Sequence, residues 1–381
     1  MEKPADIMIV AGEASGDAHA AKLVTALRSS YQGEITFFGS AGPKMREAGV
    51  EAIVEADGLS IVGLPEIAVA LPTFIAAFRK LKLATKNRKP DIAVLVDFPE
   101  FNLKLARALK KQGIAVVYYI CPQLWAWRKY RKSTIKRYVD LLISILPFEK
   151  EWFHRQGIEN VEYVGNPLTR EVHADVTRNE FRSEFGISQD SKLIALLPGS
   201  RSAEVKRILP VLSACASLIK NGSPDTVFVI ALPGKQKTPD QGFTATDSGI
   251  KWVFGRTYDV LNAADAAAVT SGTATLEAGM IGTPMAVVYK TSALNYKLLR
   301  PLIDVEHFGL INLVAGKRVA REMIQDELTP EDLAKELQRL LVPETNRKMR
   351  RDLAEAVEKL GHGGASKRAA EAIIRLLESR G

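Results

Sequence analysis

At 381 residues, with 46% hydrophobic and 25% charged side chains, the chain has room for two or three domains and the composition of a globular protein, which excludes a disordered or fibrous one. Its two cysteines, Cys121 and Cys215, sit in apolar surroundings without metal-ligand spacing, and no apolar run reaches bilayer-spanning length. These exclude a disulfide scaffold, a cysteine-held metal and a transmembrane protein, and the thiols read as reduced core residues of a cytosolic protein; the net charge of +8 asks for an acidic partner, with nucleic acid and an anionic membrane both qualifying.

Ile7 to Ala11 is an apolar run short enough for one buried strand, and a strand this near Met1 leaves no signal peptide expected. Gly12-Glu13-Ala14-Ser15-Gly16-Asp17 ends it, and Ala20, Leu23, Val24 and Leu27 follow at helical spacing. Strand, small-residue turn and helix open a nucleotide-binding α/β domain, where backbone N–H groups approach an anion; the same pattern also fits a tight turn with no ligand. The turn is neither GxGxxG nor a Walker A loop. Thr36 to Phe38 is a second strand. Leu59 to Phe78 is apolar but interrupted by Pro65 and Pro72, and a basic flank from Arg79 to Lys89 follows. A broken apolar stretch with such a flank fits a membrane interface, and the prolines weaken the alternative of a plain core helix.

Ile92 to Val96 is a buried strand ending in Asp97-Phe98-Pro99-Glu100-Phe101-Asn102, with a helix after it that stops at Gly113. Asp97 thus stands at the carboxyl end of a parallel strand, where doubly wound sheets place ligands. Partial desolvation makes it a candidate general base; the competing role is a helix cap. Ala115 to Ile120 leads to Trp125-Ala126-Trp127-Arg128 and a basic run through Arg137, read as a cleft wall or a basic face toward membrane. The cluster lacks any nucleic-acid motif, so no nucleic-acid partner is expected. Strands follow at Leu141 to Leu146 and Val161 to Val164, and Gly165-Asn166-Pro167 marks a domain crossing.

The opening unit recurs mid-chain. Leu193 to Leu197 is a strand, Pro198-Gly199-Ser200-Arg201 a turn, and Ala203 to Leu218 a helix. Two such units, each opening about half the chain, indicate two similar Rossmann-like α/β domains, the GT-B arrangement of glycosyltransferases with an interdomain cleft. Strands at Thr226 to Leu232, Lys251 to Phe254 and Met285 to Tyr289 continue the second domain, and Pro233 to Gly249 reads as a loop. Ser271-Gly272-Thr273 opens a helix and offers donors suited to a diphosphate, and Glu277, a turn later, suits ribose hydroxyls or is a solvated helix acid. Arg201 is a cation where the helix dipole disfavours one, which an anionic ligand or a pair with Glu204 explains. Asn312, inside an apolar run, needs a partner, either a ligand or a loop carbonyl. Helices from Thr329 to Leu341, from Glu344 onward and from Ala365 to Leu377 finish the chain.

GEASGD at 12–17, DFPEFN at 97–102, PQLWAW at 122–127, LPFEK at 146–150, LPGSR at 197–201, SGTATLE at 271–277 and NLVAG at 312–316 together resemble the lipid A disaccharide synthase family, over nearly the whole chain. The resemblance implies a GT-B enzyme joining the donor UDP-2,3-diacylglucosamine to the acceptor 2,3-diacylglucosamine 1-phosphate, giving lipid A disaccharide 1-phosphate and UDP, on the cytoplasmic face of the inner membrane of a Gram-negative bacterium. It implies Asp97 as catalytic carboxylate and Arg201, Glu277 and Asn312 as UDP-site positions, beside which Ser200, Ser271, Gly272 and Thr273 are the further nucleotide-site candidates. Ser15, Asp17, His19 and Trp125 are expected on the acceptor side, and Pro65, Ile67, Leu71, Phe74 and Ile75 against an anionic phospholipid surface. Some members carry His where this chain has Asn166, so no role is carried over there. No Asp-x-Asp pair occurs, so neither a metal nor another cofactor is expected. The expected domains are 1–168 for acceptor and membrane, 169–360 for the UDP-sugar, and a helix in 361–381 packing back on the first domain or on a partner, with a homodimer built through the C-terminal region. A soluble GT-B enzyme, such as a UDP-N-acetylglucosamine epimerase or a peptidoglycan transferase, and a non-catalytic sugar-nucleotide binder are the competing functions.

Overall fold

The computed structural model describes residues 3–58, 64–234, 249–293, 296–297, 300 and 305–380, with backbone alone for 58 and 64–70. The chain divides into two compact units, residues 1–167 with 363–381, and residues 168–362.

The first unit runs β1 (Ala5–Val10), α1 (Ala14–Ser30), β2 (Ile35–Ala41), α2 (Pro43–Glu47), β3 (Glu51–Glu55), α3 (Leu64–Arg88), β4 (Ile92–Val96), α4 (Pro99–Lys110), β5 (Ala115–Tyr119), α5 (Lys132–Tyr138), β6 (Leu141–Ser144), α6 (Glu149–Arg155) and β7 (Val161–Tyr163). Its seven strands are parallel, in the order β3-β2-β1-β4-β5-β6-β7. Strands β4 and β5 and the Ile7–Val10 part of β1 are apolar because both sheet faces are covered there. Ile7 and Ile9 of β1 point into one core with α1, Met8 and Val10 into the other with α3, α4 and α5. Strand β3, EAIVE, escapes a sequence reading because it is a half-exposed edge with too weak an alternation.

The second unit runs α7 (Arg178–Glu184), β8 (Leu193–Leu197), α8 (Ser202–Gly222), β9 (Val227–Leu232), β10 (Lys251–Phe254), α9 (Thr257–Ala263), β11 (Ala266–Thr270), α10 (Thr273–Ile281), β12 (Met285–Tyr289), α11 (Leu310–Ala315), β13 (Glu322–Ile324), α12 (Pro330–Leu341) and α13 (Pro343–Glu358). Six parallel strands lie in the order β10-β9-β8-β11-β12-β13. The expected loop at Pro233 to Gly249 falls largely outside the described residues, at 235–248. The last helix, α14 (Ala365–Glu378), returns to the first unit: Ala369, Ala370 and Ile373 pack beside Leu23, Val24 and Leu27 of α1, and Arg368 Nε donates to the Val164 carbonyl at 2.8 Å.

Each strand order reverses direction once, between β1 and β4 in the first unit and between β8 and β11 in the second. A crevice opens beyond the carboxyl ends of two such strands, because their following connections leave in opposite directions. The turn after β1 leads into Ser15 at the start of α1, and the turn after β4 holds Asp97; those after β8 and β11 hold Arg201 and Ser271.

From Leu64 onward, the apolar stretch that prolines seemed to break is one helix, α3, with Pro72 inside it; 59–63 lie outside the described residues. Ala77 and Leu81 anchor one face in the core, where tertiary packing offsets the hydrogen bond that Pro72 removes.

Candidate functional site

Asp97 follows β4 with its backbone in the left-handed region, φ 47°, and Phe98 repeats it at φ 50°. Two successive non-glycine residues in that region store strain, which must be held by the surroundings. Three groups hold it. Asn102, fully buried, donates from Nδ2 to the carbonyls of Val96 at 3.1 Å and Asp97 at 2.8 Å. The Tyr118 hydroxyl donates to the Asp97 carbonyl at 2.6 Å, and Asp97 N–H donates to Tyr119 O at 2.9 Å. Phe98 lays its ring on Gly12, where a Cβ would sit 2.3 Å from a ring carbon, so the glycine lets the two turns meet.

Burial pushes the Asp97 carboxyl up to about 6; the nearby Glu13 carboxylate adds to this, and the Phe98 N–H opposes it. Asp97 does not cap α4: the cap position is Phe98, without a side-chain bond. Glu13 stands in the GEASGD turn yet escaped the sequence reading, since only the fold sets it near Asp97.

The other acceptor-side candidates separate. Ser15 is exposed in the first turn of α1, and His19 is half-buried one turn on. Asp17 corrects an expectation: it is 3% exposed, and its carboxylate accepts from the backbone of Gly42 at 2.9 Å, Lys44 at 2.9 Å and Met45 at 3.1 Å. It caps α2 and ties that helix to α1, and a Cβ on Gly42 would strike it at 2.5 Å. Trp125 is a second correction. It is buried, its ring edge meets Phe148, and its Nε1 donates to Glu149 at 3.0 Å. The exposed indole of the pair is Trp127. Glu149 is fully buried and also receives Ile145 N–H, Leu146 N–H and the Cys121 thiol; burial pushes its carboxyl up to about 7 against those donors.

In the second unit, β8 and β11 are neighbours, and Thr270 Oγ1 donates to Leu197 O at 2.8 Å, setting the two turns side by side. Ser200 and Arg201 are exposed in the first, and the Arg201 guanidinium meets Glu204 at 2.9 Å, the pairing weighed from the sequence. Gly272 caps α10 at φ 145°, and Thr273 is exposed in that helix's first turn. Ser271 is half-buried, and its hydroxyl donates to Phe308 O at 2.7 Å. Glu277 is largely buried, which raises its carboxyl, and it accepts a hydrogen bond from Tyr258 that works the other way. Tyr258 gives no sequence signal; its hydroxyl is pushed up to about 12 by burial first and by Glu277 next.

Asn312 is the third correction. It is fully buried, Nδ2 donates to Ala320 O and Glu322 Oε1, and Oδ1 accepts from Val319 N and Ala320 N. Those four bonds occupy the amide, so the side chain fastens the 316–320 turn to α11 and leaves no amide donor or acceptor over for a nucleotide.

On α3, Leu71 and Ile75 are 55% and 43% exposed. Phe74 turns the other way, its ring 5.9 Å from Phe98 and 6.2 Å from Phe101, which corrects the expectation that it faces lipid. The side chains of Pro65 and Ile67 lie outside the described residues. Among the described residues, no helix is long and apolar enough to cross a membrane.

A family model described as lipid-A-disaccharide synthetase matches residues 7–375. The chain is 41% identical over 380 residues to the lipid-A-disaccharide synthase of Myxococcus xanthus, covering 99% of each, and 43% identical over 376 residues to that of Syntrophus aciditrophicus, covering 98% of each. Among solved structures, a UDP-N-acetylglucosamine 2-epimerase described as putative, from Listeria monocytogenes, superposes with a TM-score of 0.67 at 18% identity, over 99% of this chain and 98% of that one. The calicheamicin glycosyltransferase CalG4 gives 0.60 at 16% identity, over 99% of both. At such identities these structures speak for the fold, and they include both an epimerase and a transferase.

Proposed function

The chain belongs to the lipid-A-disaccharide synthase family, and from that premise we propose how its residues divide the reaction. It is a glycosyltransferase using a UDP-sugar donor and a glycosyl acceptor. In this reading the donor is UDP-2,3-diacylglucosamine and the acceptor 2,3-diacylglucosamine 1-phosphate. The acceptor 6-hydroxyl attacks the donor's anomeric carbon; the new C–O bond forms as the bond to UDP breaks, the configuration inverts, and the hydroxyl proton passes to Asp97. The observation that carries this is the desolvated Asp97 carboxyl at the β1/β4 switch point, raised to about 6 and so ionised yet basic at neutral pH.

The second unit takes the nucleotide. The N–H groups opening α10 at Thr273 and the Arg201 guanidinium receive the diphosphate and its growing charge. The exposed Arg201–Glu204 pair contributes little, so exchanging Glu204 for a diphosphate is cheap. Glu277 accepts from the ribose hydroxyls, held by Tyr258, while Asn312 supports the site from behind. The enzyme sits peripherally on the inner face of the inner membrane through the Leu71 and Ile75 side of α3.

Asp97→Asn is expected to keep the fold and UDP affinity while kcat falls roughly 10²–10⁴-fold. UDP release from the two acylated substrates, with calorimetry for UDP, reads both; near-normal turnover would remove Asp97 as the base.

A further inference from the structure

Glu100, exposed in the first turn of α4, receives two guanidiniums on one oxygen: Arg131 Nη2 at 2.5 Å and Arg128 Nη1. One carboxylate against two cations leaves a net positive charge. The Tyr130 hydroxyl is within hydrogen-bonding reach of both guanidiniums. Arg128 is held in the left-handed region at φ 54° and lies 4.1 Å from the Trp127 ring centre, so its direction is set by strained backbone and by stacking. Arg131 is 8% exposed and cannot swing away. A helix-capping or purely stabilising pair needs one arginine, and an exposed pair stabilises little.

The cluster lies close to the proposed base. Glu100 is three residues from Asp97, and the Arg131 charge reaches Tyr118, whose hydroxyl bonds the Asp97 carbonyl. In a pyranose, carbons 1 and 5 flank the ring oxygen, so a group on carbon 1 leaves from the same edge of the ring as the 6-hydroxyl; with that hydroxyl at Asp97, the carbon-1 group stays near the start of α4, where Glu100 stands.

We propose that Arg128 and Arg131, with Tyr130, form the subsite for the phosphomonoester of the acceptor sugar. Two guanidiniums suit the two charges of a monoester, which displaces Glu100 from one of them. The subsite rests on the reading of Asp97 as the acceptor-side base.

The test compares 2,3-diacylglucosamine 1-phosphate with its dephosphorylated form, in detergent without phospholipid, for wild type, Arg128→Ala and the charge-preserving Arg131→Lys. Arg128→Ala is expected to raise the KM of the phosphorylated acceptor roughly 10–100-fold, to leave the dephosphorylated one within about threefold, and to keep UDP affinity. Arg131→Lys is expected to move the same ratio in the same direction with the melting temperature retained. Equal losses on both acceptors would mean a structural ion pair and overturn the proposal. Unchanged discrimination with weaker flotation on phosphatidylglycerol vesicles would assign the arginines to lipid headgroups and overturn it too. A collapsed discrimination beside near-normal Asp97→Asn turnover would sink the base assignment and leave the phosphate subsite standing.

Discussion

Asp97 and Glu149 are both carboxylates raised by burial, to about 6 and about 7, and pH acts on them in different ways. For Asp97 the proposed role makes the consequence catalytic: with the ionised form as base, kcat/KM, which reports the free enzyme, is expected to fall as pH drops through about 6, approaching tenfold per unit below it. A flat profile from pH 7 to 5 would contradict the assignment. For Glu149 the consequence is stability. Its folded pKa lies above the unfolded 4.5, so the folded state binds the proton more tightly. The stabilisation it brings is complete below about 4.5 and is lost as pH rises through about 7, on the order of 3 kcal/mol across that window. Glu149→Gln lacks the titration and sets an amide N–H against the Trp125 indole. Melting curves should therefore show a wild-type advantage larger at pH 5 than at pH 8; an advantage independent of pH would mean that Glu149 does not titrate there.

Two helix starts carry the nucleotide reading, and they differ in what the rest of the fold does for them. Arg201 opens α8 from an exposed turn, whereas Glu277 lies inside α10, largely buried against Tyr258. Arg201→Ala and Glu277→Ala should each weaken UDP binding by about 1.5–3 kcal/mol, the range for one charge-assisted hydrogen bond. Calorimetry giving wild-type affinity for both would end the assignment of the second unit as donor side. Helix α3 shows the reverse relation between element and residue. Its prolines read as interruptions, but its i, i+4 pair Leu71 and Ile75 shares one outward face while Phe74, Ala77 and Leu81 turn inward.

At the scale of the molecule, the proposed membrane contact follows from acylated substrates that would stay in a bilayer, and it can be tested on α3. Burying Leu71 and Ile75 in lipid would contribute about 1.5–3 kcal/mol each, and the basic flank about 1 kcal/mol per charge near an anionic surface. Arg88 does not belong to that flank: it bridges Asp6 and Glu51 and lies 4.1 Å from the Phe38 ring centre. Leu71→Ser with Ile75→Ser should reduce liposome flotation, and more so at high salt, with UDP binding and melting temperature near wild type. Phe74→Ser should instead lower the melting temperature, because it empties a contact with Phe98 and Phe101. Undiminished flotation of the double variant would place the membrane contact elsewhere.

What the sequence determined by itself rests on local chemistry. Five-residue apolar runs such as Ile92–Val96 and Leu193–Leu197, too short for helices and bounded by turn residues, read as strands covered on both faces, and the amphipathic runs after small-residue turns read as helices, so two parallel α/β units were legible. The seven motifs together named the family, because their combination is specific where each alone is weak. Tertiary structure decided which polar side chains remain available. Asp17, Trp125 and Asn312 have the residue types of a site, but the distant backbone of Gly42, the buried Glu149 carboxylate and the turn carbonyl of Ala320 claim their bonds. The left-handed Asp97–Phe98 pair also depends on distant partners, Tyr118 and Gly12, and no spacing in a sequence records which strand will lie beside which.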